Sequence, residues 1–206
     1  TIWLGQDGFD YGFQVDYKQI WDDEINAIRE VAEHDKDCLI SIEYKPNEPR
    51  AYSLLANLGT TLLAIKEINL NNIGVTIDFA HILYSNEQPA LVAALIDKHS
   101  KILGLHLNDG YGKRDDGLMV GSVHQLATIE LLYHISKSKY NGPIYFDTFP
   151  DTTNMDPVKE CELNISTVKQ HFKLVDKLIK NNELSNAIEN QDSIASHKIF
   201  NSILYS

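Results

Sequence analysis

Glu43 and Lys45 stand two residues apart in CLISIEYKP (38–46), and Asp78 and His81 three apart in IGVTIDFAH (73–81). His106 lies near the end of ILGLHLND (102–109), Asp115 and Asp116 follow in the next loop, and Asp147 lies in GPIYFDTFP (142–150). Each of these runs is apolar and β-prone and turns polar towards its end. Side chains alternate along a strand. Ser41, Glu43 and Lys45 therefore share one face, as do Thr76 with Asp78, Gly104 with His106 and Asn108, and Tyr145 with Asp147. The opposite faces carry Ile40, Ile42, Tyr44, Val75, Ile77, Leu105, Leu107, Ile144 and Phe146. Four strands thus aim Glu43, Asp78, His106 and Asp147 at a common centre, provided the sheet curls into a barrel.

Three carboxylates crowded into a poorly solvated site repel one another. A divalent cation removes the conflict, and oxygen ligands with one imidazole suit Mg²⁺, Mn²⁺ or Co²⁺ better than a structural zinc site. His81, just past its strand, would reach a second ion bridged by Asp78, with Asp115 and Asp116 completing that site. Two ions would hold both oxygens of a reacting α-hydroxy-carbonyl unit. Each residue also has an ordinary reading. A strand-end Asp caps loops and helices, an interior His satisfies itself by hydrogen bonding, Lys45 makes an ion pair, and Asp115 and Asp116 sit in a solvated loop. The coincidence of ligand types on four consecutive strands favours the metal.

The elements that position these groups follow a regular alternation. A fifth β-like run, TIWLGQDG (1–8), precedes the others. Helical periodicity fills the intervals. Residues 18–34 space Ile20, Trp21, Ile25, Ile28 and Val31, and residues 52–69 space Leu54, Leu55, Leu58, Leu62, Leu63 and Ile65. Further helices are predicted over 89–100, 122–138 and 157–181. Such alternation signals βα units on a parallel sheet. No Gly-rich dinucleotide-binding turn follows any strand, and polar chemistry ends every strand, as it does in (β/α)₈ barrels. The fold class is therefore α/β, a TIM barrel. Residues 1–206 read as a single domain, with 184–206 (Leu184, Ile188, Ile194, Ile199, Ile203, Leu204) as a helical tail that closes or packs.

The 206 residues carry a net charge of −11, which disfavours a sequence-independent grip on nucleic acid. No apolar run approaches the roughly 18 residues of a membrane span. Cys38 and Cys161 form no CxxC pair, so a reducing compartment, and with it a cytoplasmic location, is expected. The chain opens on Thr1 inside a strand-like run, and the N-terminus is expected to have been lost.

With IEYKPNEPR (42–50), TIDFAH (76–81), LHLNDGYGKRDDGLMVG (105–121) and YFDTFP (145–150) in view, the sequence resembles the xylose-isomerase-like barrel superfamily. Within it, the bacterial L-rhamnose isomerase type with broad sugar specificity is the nearer resemblance, running from Trp3 to about residue 175. The resemblance implies that Glu43, Asp78, His106 and Asp147 hold a structural metal. Asp78, His81 and the Asp115 loop would hold a catalytic one, with Mn²⁺ as the first expectation and Mg²⁺, Co²⁺ or Zn²⁺ as alternatives. Lys45 matches a lysine beside the substrate carbonyl, and Trp3 matches an apolar wall of the sugar pocket, unless it is plain core packing. Lys45, His81 and Asp115 are the implied catalytic groups, with Trp3, Lys45 and His81 contacting substrate. The family pattern has two loop carboxylates separated by one residue, whereas Asp115 and Asp116 are adjacent and Gly117 follows. Strands 4–8 of the barrel are present by this reading and the first three are missing, so two long open edges are expected. A full-length form would be a homo-oligomer acting on a small sugar.

The implied reaction interconverts an aldose and its ketose, by a hydride shift or through an enediol. A sugar epimerase is the alternative on the same barrel. A metal-dependent endonuclease for abasic DNA would need more histidines and a basic surface. A non-catalytic, truncated barrel that binds metal or sugar is the remaining rival.

Overall fold

The computed structural model describes residues 1–3, 5, 7–150 and 154–205. Five strands, β1 (Ile2–Trp3), β2 (Ile40–Glu43), β3 (Ile73–Asp78), β4 (Ile102–Leu107) and β5 (Ile144–Phe146), form one sheet in sequential order, every pair parallel. Consecutive parallel neighbours need right-handed crossovers, which carry all the connecting helices to one face. These are α1 (Tyr17–His34), α2 (Leu58–Ile68), α4 (Pro89–His99) and α5 (Gln125–Lys137), with α6 (Pro157–Ile179) after β5. A short α3 (Phe79–Tyr84) leads directly out of β3. The result is an arc of a TIM barrel.

Local chemistry sets the helix starts. Asp16 accepts from the N–H groups of Lys18 and Gln19 to cap α1, and Asp156 caps α6 in the same way before Pro157. Asn57 and Thr60 form a reciprocal capping box on α2. That box overrides the apolar spacing that predicts a helix from residue 52. Residues 52–57 are instead loop, because the Asp7 carboxylate captures the N–H groups of Leu54 and Leu55 and Tyr52 pairs with Phe9. Val31 and Leu63, expected on buried stripes, are about half exposed. The stripes that face the sheet are Ile25, Ile28 and Ala32 on α1 and Leu58, Thr61, Ala64 and Ile68 on α2.

The core lies between helices and sheet, with Ile42, Tyr44, Val75, Ile77, Leu105 and Leu107 buried on the outer sheet face. The inner face is small and polar at mid-height. Ser41 and Thr76 share a hydroxyl hydrogen bond. A Cβ at Gly104 would come within 2.5 Å of Thr76 Oγ1, so glycine is needed there for the strands to lie side by side. Among the described residues the sheet edges are short rather than long, two residues at β1 and three at β5. Leu4 and Gln6 of the predicted first strand lie outside the described residues. The tail forms two helices, α7 (Asn182–Glu189) and α8 (Ser193–Leu204), the latter packing Ile199, Phe200, Ile203 and Leu204 against the core. Cys38 and Cys161 are free thiols. Among the described residues no helix is long and apolar enough to cross a membrane.

Candidate metal and sugar site

Strand register brings the candidate residues level. Asp78 ends β3 opposite His106 of β4, and His106 pairs with Tyr145, two residues before Asp147. Glu43 ends β2 beside them. One ligand atom from each of Glu43, Asp78, His106 and Asp147 can be chosen so that all lie within 4.8 Å of one another. His106 Nδ1 is 3.3 Å from Glu43 Oε1 and 3.8 Å from Asp78 Oδ2.

Above this group sits a second one. His81 Nδ1 lies 3.6 Å from Glu43 Oε1, and His81 Nε2 lies 3.1 Å from Asp115 Oδ2. The same Asp115 oxygen is 3.2 Å from Lys45 Nζ, which also pairs with Glu48 at 3.2 Å. Lys45 Nζ stands 5.2 Å from the centre of the Trp3 ring, within cation–π range. Trp3 is 48% exposed, so here it is no core residue.

Asp116, expected beside Asp115 as a ligand, does not join either group here. Its carboxylate turns back into the loop, accepting from Tyr111 N–H at 2.8 Å and Arg114 Nε at 2.9 Å. Gly117 adopts φ +55°, its carbonyl accepts from Phe149 N–H, and a Cβ would fall 2.3 Å from the Phe149 ring. The backbone conformation that turns the loop under Phe149 thus requires glycine where a second carboxylate would stand.

The electrostatics favour added positive charge. Burial pushes the Asp78 carboxyl up to about 6, against His81 beside it. Burial, with Glu43 and Asp115 nearby, raises Asp147 as well. Burial opposes protonation of His81, yet Asp115, Asp78 and Glu43 together carry it up to about 9. Burial would also raise Asp115, but His81 and Lys45 outweigh it and hold the carboxyl below its ordinary value. Nδ1 of His81, Nδ1 of His106 and Oδ1 of Asp115 are buried with no hydrogen-bond partner among the described residues. Such orphaned atoms are costly unless something binds them. Three carboxylates plus one imidazole nitrogen form a donor set that fits Mg²⁺, Mn²⁺ or Co²⁺.

Three residues of the site carry no role in the sequence reading, although alternation places Asn108 on the inner face. Glu48 pairs with Lys45 at a spacing of three. Asn108 hydrogen-bonds both oxygens of Asp78. Asp109, fully buried, accepts from the N–H groups of Gly110, Val123 and His124 and from His124 Nδ1, clamping both ends of the loop that carries Asp115. The polar end of HLND is the signal that points to the last two.

Comparison with known proteins places this architecture. The family of Xylose isomerase-like TIM barrels matches residues 5–169, and the chain belongs to that family. It is 27% identical over 153 residues to the xylose isomerase of Thermus thermophilus, covering 71% of this chain and 40% of that protein. An uncharacterised protein of Methanocaldococcus jannaschii is 25% identical over 166 residues, covering 80% and 54%. The chain therefore spans about half or less of the length of these curated relatives. Among solved structures, a D-tagatose 3-epimerase-like protein superposes with TM-score 0.66 at 23% identity, over 84% of this chain and 62% of that one. A xylose isomerase domain protein from Alicyclobacillus acidocaldarius gives 0.63 at 18%, over 80% and 62%. Those two likenesses are of fold.

Proposed function

We propose that this chain carries the metal- and sugar-binding face of an aldose–ketose isomerase of the L-rhamnose isomerase type. The observation that carries the reading is the convergence of Glu43, Asp78, His106 and Asp147 within 4.8 Å at the ends of four successive strands. Those four side chains would hold one divalent cation, Mn²⁺ first among the candidates. His81, Asp115 and the neighbouring Asp78 would hold a second. A bound cation supplies Lewis acidity towards adjacent sugar oxygens.

The chain's own residues do the rest. Lys45, steered by Asp115 and Glu48, directs its ammonium group into the space beside Trp3. There it donates a hydrogen bond to the substrate oxygen on which negative charge develops, an interaction that strengthens towards the transition state. Asp115 Oδ1, buried and without a hydrogen-bond partner among the described residues, is the oxygen placed to bind a substrate hydroxyl or to accept its proton. The Trp3 ring offers an apolar wall for the carbon skeleton. Asp109 keeps the Asp115 loop in place.

The test is a product assay with L-rhamnose and a panel of other aldoses and ketoses at saturating Mn²⁺. It compares this chain with a version joined to the N-terminal barrel strands of a family member. Aldose–ketose conversion supports the proposal. Interconversion of ketoses alone identifies an epimerase, and the absence of turnover in the joined version overturns the catalytic reading.

A further inference from the structure

Asn108 lies one residue beyond β4 and is fully buried. Its amide ties three strand ends together. Nδ2 is 3.2 Å from both Oδ1 and Oδ2 of Asp78 and 3.0 Å from the carbonyl oxygen of Asp147, while Oδ1 accepts from Ala80 N–H at 2.8 Å. Both donors and the acceptor of the amide are therefore used.

The consequence falls on Asp78. A carboxylate has about four lone-pair positions, two on each oxygen. Asp78 Oδ1 takes two donors, His81 N–H at 3.0 Å and Asn108. Oδ2 takes Asn108 alone among the described residues, and it is the oxygen that faces His106 Nδ1. The remaining lone pair thus points towards the other candidate ligands.

We propose that Asn108 is a positioning residue that presents Asp78 to a divalent cation through Oδ2 and fixes its spacing from Asp147. The inference rests on the reading of Glu43, Asp78, His106 and Asp147 as a cation site. A carboxamide is required because a carboxylate here would face Asp78 and the Asp147 carbonyl with like charge. A hydroxyl is too short to span the three strands. Partners that orient metal ligands in this way typically govern affinity by 10- to 100-fold.

A purely structural role for Asn108 predicts lost stability and unchanged affinity, and Asn72 supplies the control. Asn72 is buried too, and its Nδ2 donates to the carbonyls of Ala32, Asp35 and Cys38 at the opposite end of β3. The experiment titrates Mn²⁺ into the chain by calorimetry, with thermal midpoints recorded in chelator. Asn108→Ser should weaken binding by about 10- to 100-fold, whereas Asn72→Ala should lower the midpoint and leave affinity intact. Equal affinity in Asn108→Ser and the parent overturns the proposal, as does an equal loss in Asn72→Ala.

Should Asn108→Ser fail to fold, nitrogen-edited NMR of the parent chain decides. The side-chain amide signals of Asn108 should move on addition of Mg²⁺ while those of Asn72 stay. Unmoved Asn108 signals sink the idea. A parent chain that binds no cation removes the site reading itself, and the inference falls with it, a result distinct from normal binding by the parent and the variant alike.

Discussion

Lys45 Nζ and Asp115 Oδ2 lie 3.2 Å apart, joining the end of β2 to the loop after β4 across the mouth of the sheet. Of the adjacent Asp115 and Asp116, Asp115 reaches inward, and it meets His81 with the same oxygen. Lys45 is thereby placed beside the candidate ligands without belonging to them.

Lys45→Met should keep metal and lose turnover in the active enzyme. A charge-assisted hydrogen bond made mainly in the transition state is worth on the order of 2–4 kcal/mol, or roughly 30- to 1,000-fold in rate. Steady-state conversion of an aldose at saturating Mn²⁺ measures it. A rate close to that of the parent would remove Lys45 from the mechanism.

Asp78→Asn should weaken Mn²⁺ binding by about 100-fold or more, since changes in residues that merely orient ligands already cost 10- to 100-fold. Calorimetry on the chain reads this directly. Unchanged affinity would take Asp78 out of the site.

Glu24 should contribute a fall in stability as pH rises from about 4.5 to 7. Burial, with Asp7 nearby, lifts its carboxyl from 4.5 to about 7, and its Oε1 is buried without a hydrogen-bond partner among the described residues. The folded state therefore binds more protons than the unfolded state in that window, and the stabilisation present below it is lost above it. Allowing for partial exposure, the effect is about 1–2 kcal/mol. Urea unfolding at pH 5 and pH 8 tests it. Glu24→Gln should raise stability at pH 8 and narrow the difference, and a difference equal to the parent's would exclude Glu24 as a source.

Gly104→Ala should destabilise by about 1–3 kcal/mol through overpacking. The new methyl would meet Thr76 Oγ1 at 2.5 Å, and that hydroxyl is held by Ser41. Adding Thr76→Ala should recover part of the loss. Strict additivity in the double-mutant cycle would show that the two residues do not share the space.

The sequence by itself determined the alternation of strand and helix and the face each strand residue takes. Period-two alternation is a local property, so Glu43, Asp78 and His106 were assigned to one side without knowledge of their neighbours. Helix existence was legible for the same reason, since apolar residues at helical spacing must be buried together.

Boundaries and loop directions needed the tertiary structure. The start of α2 depends on Asp7, far away in sequence, taking the N–H groups of Leu54 and Leu55. Val31 and Leu63 fit an apolar stripe but sit on its outer margin, because the helix rotation is set by packing against the sheet. That Asp115 turns inward while Asp116 turns back into the loop follows from Gly117 turning beneath Phe149 and from Arg114 and Tyr111 claiming Asp116. Asn108 was placed on the inner face by alternation alone. That its single amide spans β3, β4 and the residue after β5 follows only from strand register, a long-range property that no local pattern encodes.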